Sequence, residues 1–275
     1  MSTRLRHIAD VNTQIAADGA YTAEDGTLVA VGPALAAAIS GTRSHPPDEP
    51  VAVPAPAGHR TVFEVTAEGS MQAARRLHLE GAEGIAVLNF ASARNPGGGY
   101  TGGAKAQEED LCRSALLYPC LLRAPDYYAA HRASSDLLYS HYVIWAPGVP
   151  VHRGDDGRLL AEPYLVSFLT CPAPNAGQAL RRDPGAREEI RRVLHERAER
   201  VLAVAAHHGV RHLVLGAWGC GVFRNDPGEV ADAFHAHLTA SFSGAFERVV
   251  FAVWDRSADS VNRAAFADRF GAVAG

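Results

Sequence analysis

Residues 89–109 read Asn-Phe-Ala-Ser-Ala-Arg-Asn-Pro-Gly-Gly-Gly-Tyr-Thr-Gly-Gly-Ala-Lys-Ala-Gln-Glu-Glu, and no other stretch restricts the fold of this 275-residue chain as much. Just before it, Ile85, Ala86, Val87 and Leu88 form an unbroken apolar run, the pattern of a short strand covered on both faces. Just after it, Leu111, Ser114, Ala115 and Tyr118 return at helical spacing. A strand therefore empties into a glycine-rich loop and then into a helix whose first turn carries Glu108 and Glu109. Gly97, Gly98 and Gly99 let the main chain reach positive φ and let a ligand approach it closely. Their amides are expected to be free to face an anion. The spacing fits neither the Rossmann nor the Walker fingerprint, so the loop alone names no ligand. The carboxylates also have a plain structural reading: acids favour a helix first turn, and Glu109 is spaced to pair with Arg113. Neighbouring helical positions diverge by about 100°. Glu108 and Glu109 are thus expected to face different atoms and to hold different roles.

The same layout recurs at residues 213–226, Leu-Val-Leu-Gly-Ala-Trp-Gly-Cys-Gly-Val-Phe-Arg-Asn-Asp. Leu213 to Leu215 read as a buried strand, and Gly216, Gly219 and Gly221 as a flexible loop. Asp226, Pro227 and Glu229 read as the N-cap, first-turn proline and capping-box acid of a following helix. Two such units place both glycine loops at the carboxyl ends of strands, where open α/β sheets bind ligands. Phe223 is equally suited to stack on a sugar or base and to plug the core.

From Thr61 onward, apolar runs and helical periodicity alternate. Strands are expected at 61–66, 84–90, near 141–146, 164–170, 211–215 and 247–254, and helices at 70–80, 107–117, 185–207 and 227–238. This order predicts an α/β fold with a parallel or mixed sheet flanked by helices on both faces. Residues 4–40 suggest a helix, a hairpin turning at Glu24-Asp25-Gly26 and an alanine-rich helix. Residues 41–60 hold five prolines without periodicity. The expected division is an N-terminal accessory segment with a proline-rich linker over 1–60 and a main domain over 61–275.

No run approaches the roughly 18 apolar residues of a spanning helix, and the amino terminus lacks a secretory apolar core, so a cytoplasmic protein is expected. Cys112, Cys120, Cys171 and Cys220 show no CxxC pairing and read as reduced thiols, with Cys220 a small residue fitting a tight turn. The thirteen histidines are scattered without metal-ligand spacing. The net charge is −4, and the arginines of 181–200 are interleaved with Glu188, Glu189, Glu196 and Glu199 as a solvated helix face with expected Glu188/Arg192 and Glu196/Arg200 pairs. A protein that coats a polyanion carries a basic stripe; none is evident here.

Taken together, these residues resemble the microbial-type poly(ADP-ribose) glycohydrolases, whose catalytic domain is a macrodomain-like α/β fold. The family signature, a triple glycine followed by Gln-Glu-Glu, stands as Gly97 to Gly99 and Gln107 to Glu109. Asn89 to Ala93, Asn95-Pro96, Cys112-Arg113-Ser114, Ala146 to Val151 and Gly216 to Asn225 extend the resemblance over most of the chain, most weakly before residue 60. His152 stands where an aromatic residue is expected, and Tyr100 and Thr101 are a local variant. The resemblance implies cleavage of the ribose-ribose O-glycosidic bond, with poly(ADP-ribose) or ADP-ribosylated proteins as substrate and ADP-ribose as product. It implies no metal or other cofactor, and no obligate protein partner or membrane is evident. Glu109 would be the acid/base, Glu108 would hold ribose hydroxyls, and Gln107, Asn89 and Asn95 would line the substrate site. Gly97, Gly98 and Gly99 would clasp the diphosphate with Gly219, Cys220, Gly221, Val222, Phe223 and Asn225, Phe223 packing on the terminal ribose. A general acid must start protonated, the opposite of what a helix first turn favours; Glu108 and the bound diphosphate are expected to supply the difference. The weak basic character favours recognition of a chain end, hence exo-type release. The alternatives are a non-catalytic reader of ADP-ribose, which needs the loops but not the paired acids, and a hydrolase of another ADP-ribosyl linkage.

Overall fold

The structure is a computed structural model that describes residues 2–271. It begins with α1 (Thr3–Asp18), the hairpin β1 (Ala20–Thr22) and β2 (Leu28–Ala30), α2 (Gly32–Gly41) and β3 (Arg43–His45). Then follow β4 (Val62–Thr66), α3 (Ser70–Leu79), β5 (Ile85–Phe90), α4 (Gln107–Ser114), α5 (Leu117–Leu121) and α6 (Pro125–Ala133). The chain continues through β6 (Val143–Arg153), β7 (Leu159–Cys171), α7 (Ala176–Arg182), α8 (Arg187–His207), β8 (His212–Leu215), α9 (Pro227–Leu238), β9 (Arg248–Ala252) and α10 (Val261–Phe270).

Seven strands form one mixed sheet in the order β3-β6-β7-β5-β8-β9-β4. Pairing from β7 through β5, β8 and β9 to β4 is parallel, while β6 is antiparallel to β7 and β3 is antiparallel to β6. The apolar run of β5 explains its central place. Ile85 and Val87 enter the core layer shared with α1 to α6, and Ala86 and Leu88 enter the opposite layer with α7 to α10. Alternate side chains of one strand thus bury both sheet faces, the arrangement that parallel sheets require.

Several boundaries differ from expectation for definable reasons. The helix expected over 107–117 breaks after Ser114, because Pro119 cannot donate to the carbonyl of Ala115 in a continuous helix. Ala115 instead bridges Val151, and Leu116 N–H donates to the carbonyl of Pro150 at 2.9 Å. The linker expected over 41–60 contains β3, whose Arg43, Ser44 and His45 pair with Trp145, Ile144 and Val143. Ala9, Ile15, Leu35 and Ala38 pack in the same layer as Val87 and Tyr127. The segment from α1 to β3 is therefore built into the main domain and supplies one edge of its sheet. Helices α6, α7 and α10 are also additional to the expected set.

Asp226 caps α9 by accepting from the amides of Gly228 and Glu229, but Glu229 does not close a capping box; its carboxylate pairs with Arg187 and Arg191. On α8 the pairing also departs from expectation. Glu188 joins Arg191, Arg192 joins Glu189 and Glu196, and Arg200 donates to the carbonyls of Pro46 and Glu49. Arg197 is fully buried and donates to the carbonyl of Pro172, so this face of α8 is not wholly solvated. No helix among the described residues is long and apolar enough to cross a membrane.

Buried His131 fastens α6 to the loop before β6. Its Nδ1 lies 2.9 Å from the carbonyl of Tyr127, and its Nε2 lies 2.8 Å from Ser140 Oγ. Burial pushes its pKa down to about 4. Between that value and the ~6.5 of an unfolded chain, only the unfolded state binds the proton, so this residue makes stability fall as pH drops through that window. Urea unfolding at pH 7 and pH 4.5 should show a smaller loss for His131→Gln than for wild type, by about 1–2 kcal/mol.

Candidate active site

The site lies at the carboxyl ends of β5 and β8. α4 starts only after the glycine loop, and its first turn projects Gln107, Glu108 and Glu109 back toward the end of β5. Glu108 is 3% exposed and Glu109 7% exposed. Glu108 Oε2 accepts from the amide of Ser92 at 2.7 Å, and Oε1 accepts from Asn89 Nδ2 at 3.3 Å. Asn89 is itself held by Thr170 Oγ1 at 3.1 Å. Glu109 Oε1 accepts from the amide of Gly99 at 2.8 Å, whereas its buried Oε2 has no partner among the described residues. Burial, reinforced by the neighbouring charge of Glu109, pushes the Glu108 carboxyl up to about 8 against its amide donors.

Both carboxylates converge on one place, contrary to the divergence expected from their helical positions. A Cβ on Gly98 would lie 2.6 Å from Glu109 Oε1 and 3.2 Å from Glu108 Oε2. Two flexible methylenes in each side chain allow the convergence from adjacent positions. Their partners nevertheless differ: Glu108 is held at both oxygens and Glu109 at one. Nor does Glu109 pair with Arg113, which turns to Asp110 and to the carbonyl of Ala104.

The glycine amides also serve a purpose other than the one expected. Gly98 N–H donates to the carbonyl of Asn95, and Gly99 N–H donates to Glu109 Oε1. The triple glycine therefore cradles the carboxylates. Gly97 and Gly98 have φ of +65° and +58°, and side chains there would strike Tyr118 and Glu109 respectively. Free donors are found instead in the second loop: the amides of Gly219, Gly221, Val222 and Phe223 make no hydrogen bond among the described residues. Val222 is 85% exposed at the loop tip, and Phe223 is half-buried and tilted against Tyr139 at 5.8 Å.

Other expected site residues brace the loops. Gln107 accepts from the amide of Phe90 and donates to the carbonyl of Leu88 and to Ser70 Oγ, which fastens α4 to the end of β5. Asn225 Nδ2 donates to the carbonyls of Pro174 and Gly219 and holds the second loop, leaving its Oδ1 unpartnered. Asn95 is exposed in the turn before the glycines. The Cys220 thiol is pushed up to about 12 by burial, which keeps it protonated at neutral pH. Among the described residues, no group of three or more His, Cys, Asp or Glu side chains is arranged to hold a metal ion.

Several residues at the site escaped the sequence reading. Ser92 and Thr170 act through Glu108 and Asn89. Trp254, just past β9 at the same edge of the sheet, is 62% exposed, and Thr66 Oγ1 at the adjoining end of β4 is buried with no partner among the described residues. The signal for Trp254 was its position at the end of an expected strand.

A mixed α/β sheet that opens at its carboxyl edge onto a buried carboxylate pair and a donor-rich glycine loop has the layout of a macrodomain-like glycosidase. The family described as "Microbial-type PARG, catalytic domain" matches residues 9–154. Poly(ADP-ribose) glycohydrolase from Thermomonospora curvata is 48% identical and superposes with a TM-score of 0.90, over 98% of this chain and 100% of that one. The same enzyme bound to the inhibitor ADP-HPD is matched at 47% identity and a TM-score of 0.89, with the same coverage. The Deinococcus radiodurans enzyme in complex with ADP-ribose is 46% identical with a TM-score of 0.79, over 86% of this chain and 97% of that one. No curated protein matches the chain. The chain belongs to the microbial-type poly(ADP-ribose) glycohydrolases.

Because Gly98 gives both carboxylates their space, Gly98→Ala should leave a folded protein whose hydrolytic turnover is lowered by about 100-fold or more. Circular dichroism and release of ADP-ribose from poly(ADP-ribose) check this; turnover within about threefold of wild type would show that the glycine is not needed there.

Proposed function

We propose that the chain cleaves the ribose-ribose O-glycosidic bond of poly(ADP-ribose) from chain ends, releasing ADP-ribose, with Glu109 as general acid/base. The observation that carries the assignment is Glu109 itself. One oxygen is fixed by Gly99 N–H, and the other is buried without a partner at the mouth of the sheet. A buried group in that condition costs free energy unless a ligand completes it.

In this reading the Glu109 carboxyl donates its proton to the departing ribose oxygen as an oxocarbenium-like centre forms at the other sugar. It then takes a proton from the water that attacks that centre, which restores the acid. A proton is at hand beside it: burial and the neighbouring Glu109 charge raise the Glu108 carboxyl to about 8, so Glu108 holds its proton at neutral pH where both side chains converge on Gly98. Glu108, steadied by Asn89 and Ser92, orients ribose hydroxyls. The diphosphate takes the free amides of Gly219, Gly221, Val222 and Phe223, while the triple glycine provides closeness without side chains. Phe223 packs on the terminal ribose, and exposed Trp254 offers its face to the adenine. Exo-type cleavage is supported by the net charge of −4 and by arginines neutralised within α8, which suit a pocket at a chain end more than a track along a polyanion. A cytoplasmic setting is supported by Cys112, Cys120, Cys171 and Cys220, all unpaired thiols.

Glu109→Gln should abolish ADP-ribose release while leaving ADP-ribose affinity within about tenfold, or ~1.4 kcal/mol. Gradual shortening of long polymer with monomeric product throughout is the expected time course. Early appearance of short oligomers would reject chain-end cleavage. Saturable ADP-ribose binding without release by wild type would leave a reader module or a hydrolase of another ADP-ribosyl linkage. Trp254→Ala should weaken ADP-ribose binding by about tenfold in calorimetry, and an unchanged affinity would place the adenine elsewhere.

A further inference from the structure

Helix α4 is only eight residues long, and its carboxyl end is unusual. The carbonyl of Leu111 accepts from Ala115 N–H, but the chain then turns extended, since Ala115 bridges Val151 and Leu116 N–H is taken by Pro150. The carbonyls of Cys112 and Arg113 are therefore left without helical partners, as the last turn of any helix is. Both are satisfied by one side chain from a distant part of the sequence. Asn12 Nδ2, on α1, donates to Cys112 O at 3.2 Å and to Arg113 O at 3.0 Å.

The other end of the same amide is equally committed. Asn12 Oδ1 accepts from His152 Nε2 at 2.9 Å, from Arg153 Nε at 3.1 Å and from Arg153 Nη2 at 3.0 Å. Asn12 is 3% exposed and joins α1, α4 and the end of β6. Burial lowers the pKa of His152 to about 3, so its ring is neutral, and the Nε2 tautomer that donates to Asn12 fits this network. No aliphatic residue can satisfy two carbonyls and two donor groups at once. A second contact ties α1 to the loop leading into α4: Ser2 N–H donates to Gly103 O at 3.2 Å, and a Cβ on Gly103 would lie 2.4 Å from Ser2 O. One helix thus grips both the approach to α4 and its carboxyl end.

Glu109 sits three and four residues before the capped carbonyls, one turn of the same helix. A short helix with an uncapped end frays from that end. Rotation or fraying of its last turn shifts the first. We infer that Asn12 is a positioning residue for Glu109: by capping Cys112 and Arg113 it fixes the rotation of α4 and hence where the free Oε2 of Glu109 meets the scissile bond. This rests on the assignment of Glu109 as acid/base proposed above. Its consequence is a split in the kinetic constants, because the diphosphate loop at 219–223 is anchored by Pro174 and Asn225 and not by α4.

The test uses the full chain with poly(ADP-ribose) as substrate and compares Asn12→Ala, Asn12→Asp, Arg153→Lys, Leu35→Ala and Glu109→Gln. Leu35 is buried in α2 of the same N-terminal segment and supplies a control for general destabilisation. In the Asn12 variants kcat should fall by about 30-fold or more, while KM and the ADP-ribose Kd stay within about threefold, and the pH profile of kcat should shift. Asn12→Asp keeps the acceptor for His152 and Arg153 but turns a carboxylate toward two carbonyls, so it should lose as much kcat while retaining more of the Tm. Arg153→Lys should give the same change in smaller measure, and the two conservative variants carry the test if Asn12→Ala does not fold. Leu35→Ala should lower Tm with kcat within about twofold and an unchanged pH profile. The inference is overturned if folded Asn12 variants keep kcat within about threefold while Glu109→Gln is inactive. It is equally overturned if their kcat and ADP-ribose affinity fall together, as general destabilisation would produce. Turnover retained by Glu109→Gln would overturn the acid/base reading itself, an outcome separable from either of these.

Discussion

The hydrogen bond from Gly99 N–H to Glu109 Oε1 is the contact on which the site depends. It requires the backbone to pass within van der Waals reach of two carboxylates, which only a run without side chains permits, and it requires α4 to start just where β5 ends. Gln107 meets the second demand by bonding backbone groups of Leu88 and Phe90 at the carboxyl end of that strand. The rest of the central sheet then sets the distance to the opposing loop. β5 pairs directly with β8, so the two glycine loops emerge from adjacent strands with no strand between them.

This arrangement divides labour in a way that helix dipoles alone would not suggest. A glycine loop before a helix is commonly read as an anion cradle, but here it packs on the protein's own carboxyl groups. The amides of Gly98 and Gly99 are already spent. The tip amides of the second loop, by contrast, make no hydrogen bond among the described residues. Burying a carboxylate pair side by side is costly, and the structure offsets that cost with three directed donors and an unusually basic Glu108.

Much of this was legible in the chain. The apolar tetrad at 85–88 marks a doubly buried strand, and Asp226-Pro227 marks a helix start, because each signal is local and depends on few neighbours. The buried carboxyl pair was visible as part of the Gln107-Glu108-Glu109 triplet. What could not be read were properties decided by distant partners. β3 is three residues whose strand character comes only from Val143, Ile144 and Trp145. Asn12 is an unremarkable polar residue in helix α1 until the orphan carbonyls of Cys112 and Arg113, a hundred residues away, are placed against it. The convergence of Glu108 and Glu109 was missed because helical geometry fixes where Cβ atoms point, not where two long side chains finish.

The pairing of β4 with β9 carries a consequence for how the molecule is made. Val62 lies opposite Arg248 in a parallel register, so the last rung of the sheet joins segments separated by most of the chain. Loop closure over such a span must precede the contacts that reward it, which slows folding. During synthesis, β4 has no partner until β9 has left the ribosome, and β8 is likewise bounded on one side only. A nascent chain halted before residue 248 would present the edges of central strands, the surfaces most prone to pair with other chains. Completion of the C-terminal strand, and not formation of the glycine loops, is therefore the event that closes the open edge of β8 and gives β4 its partner.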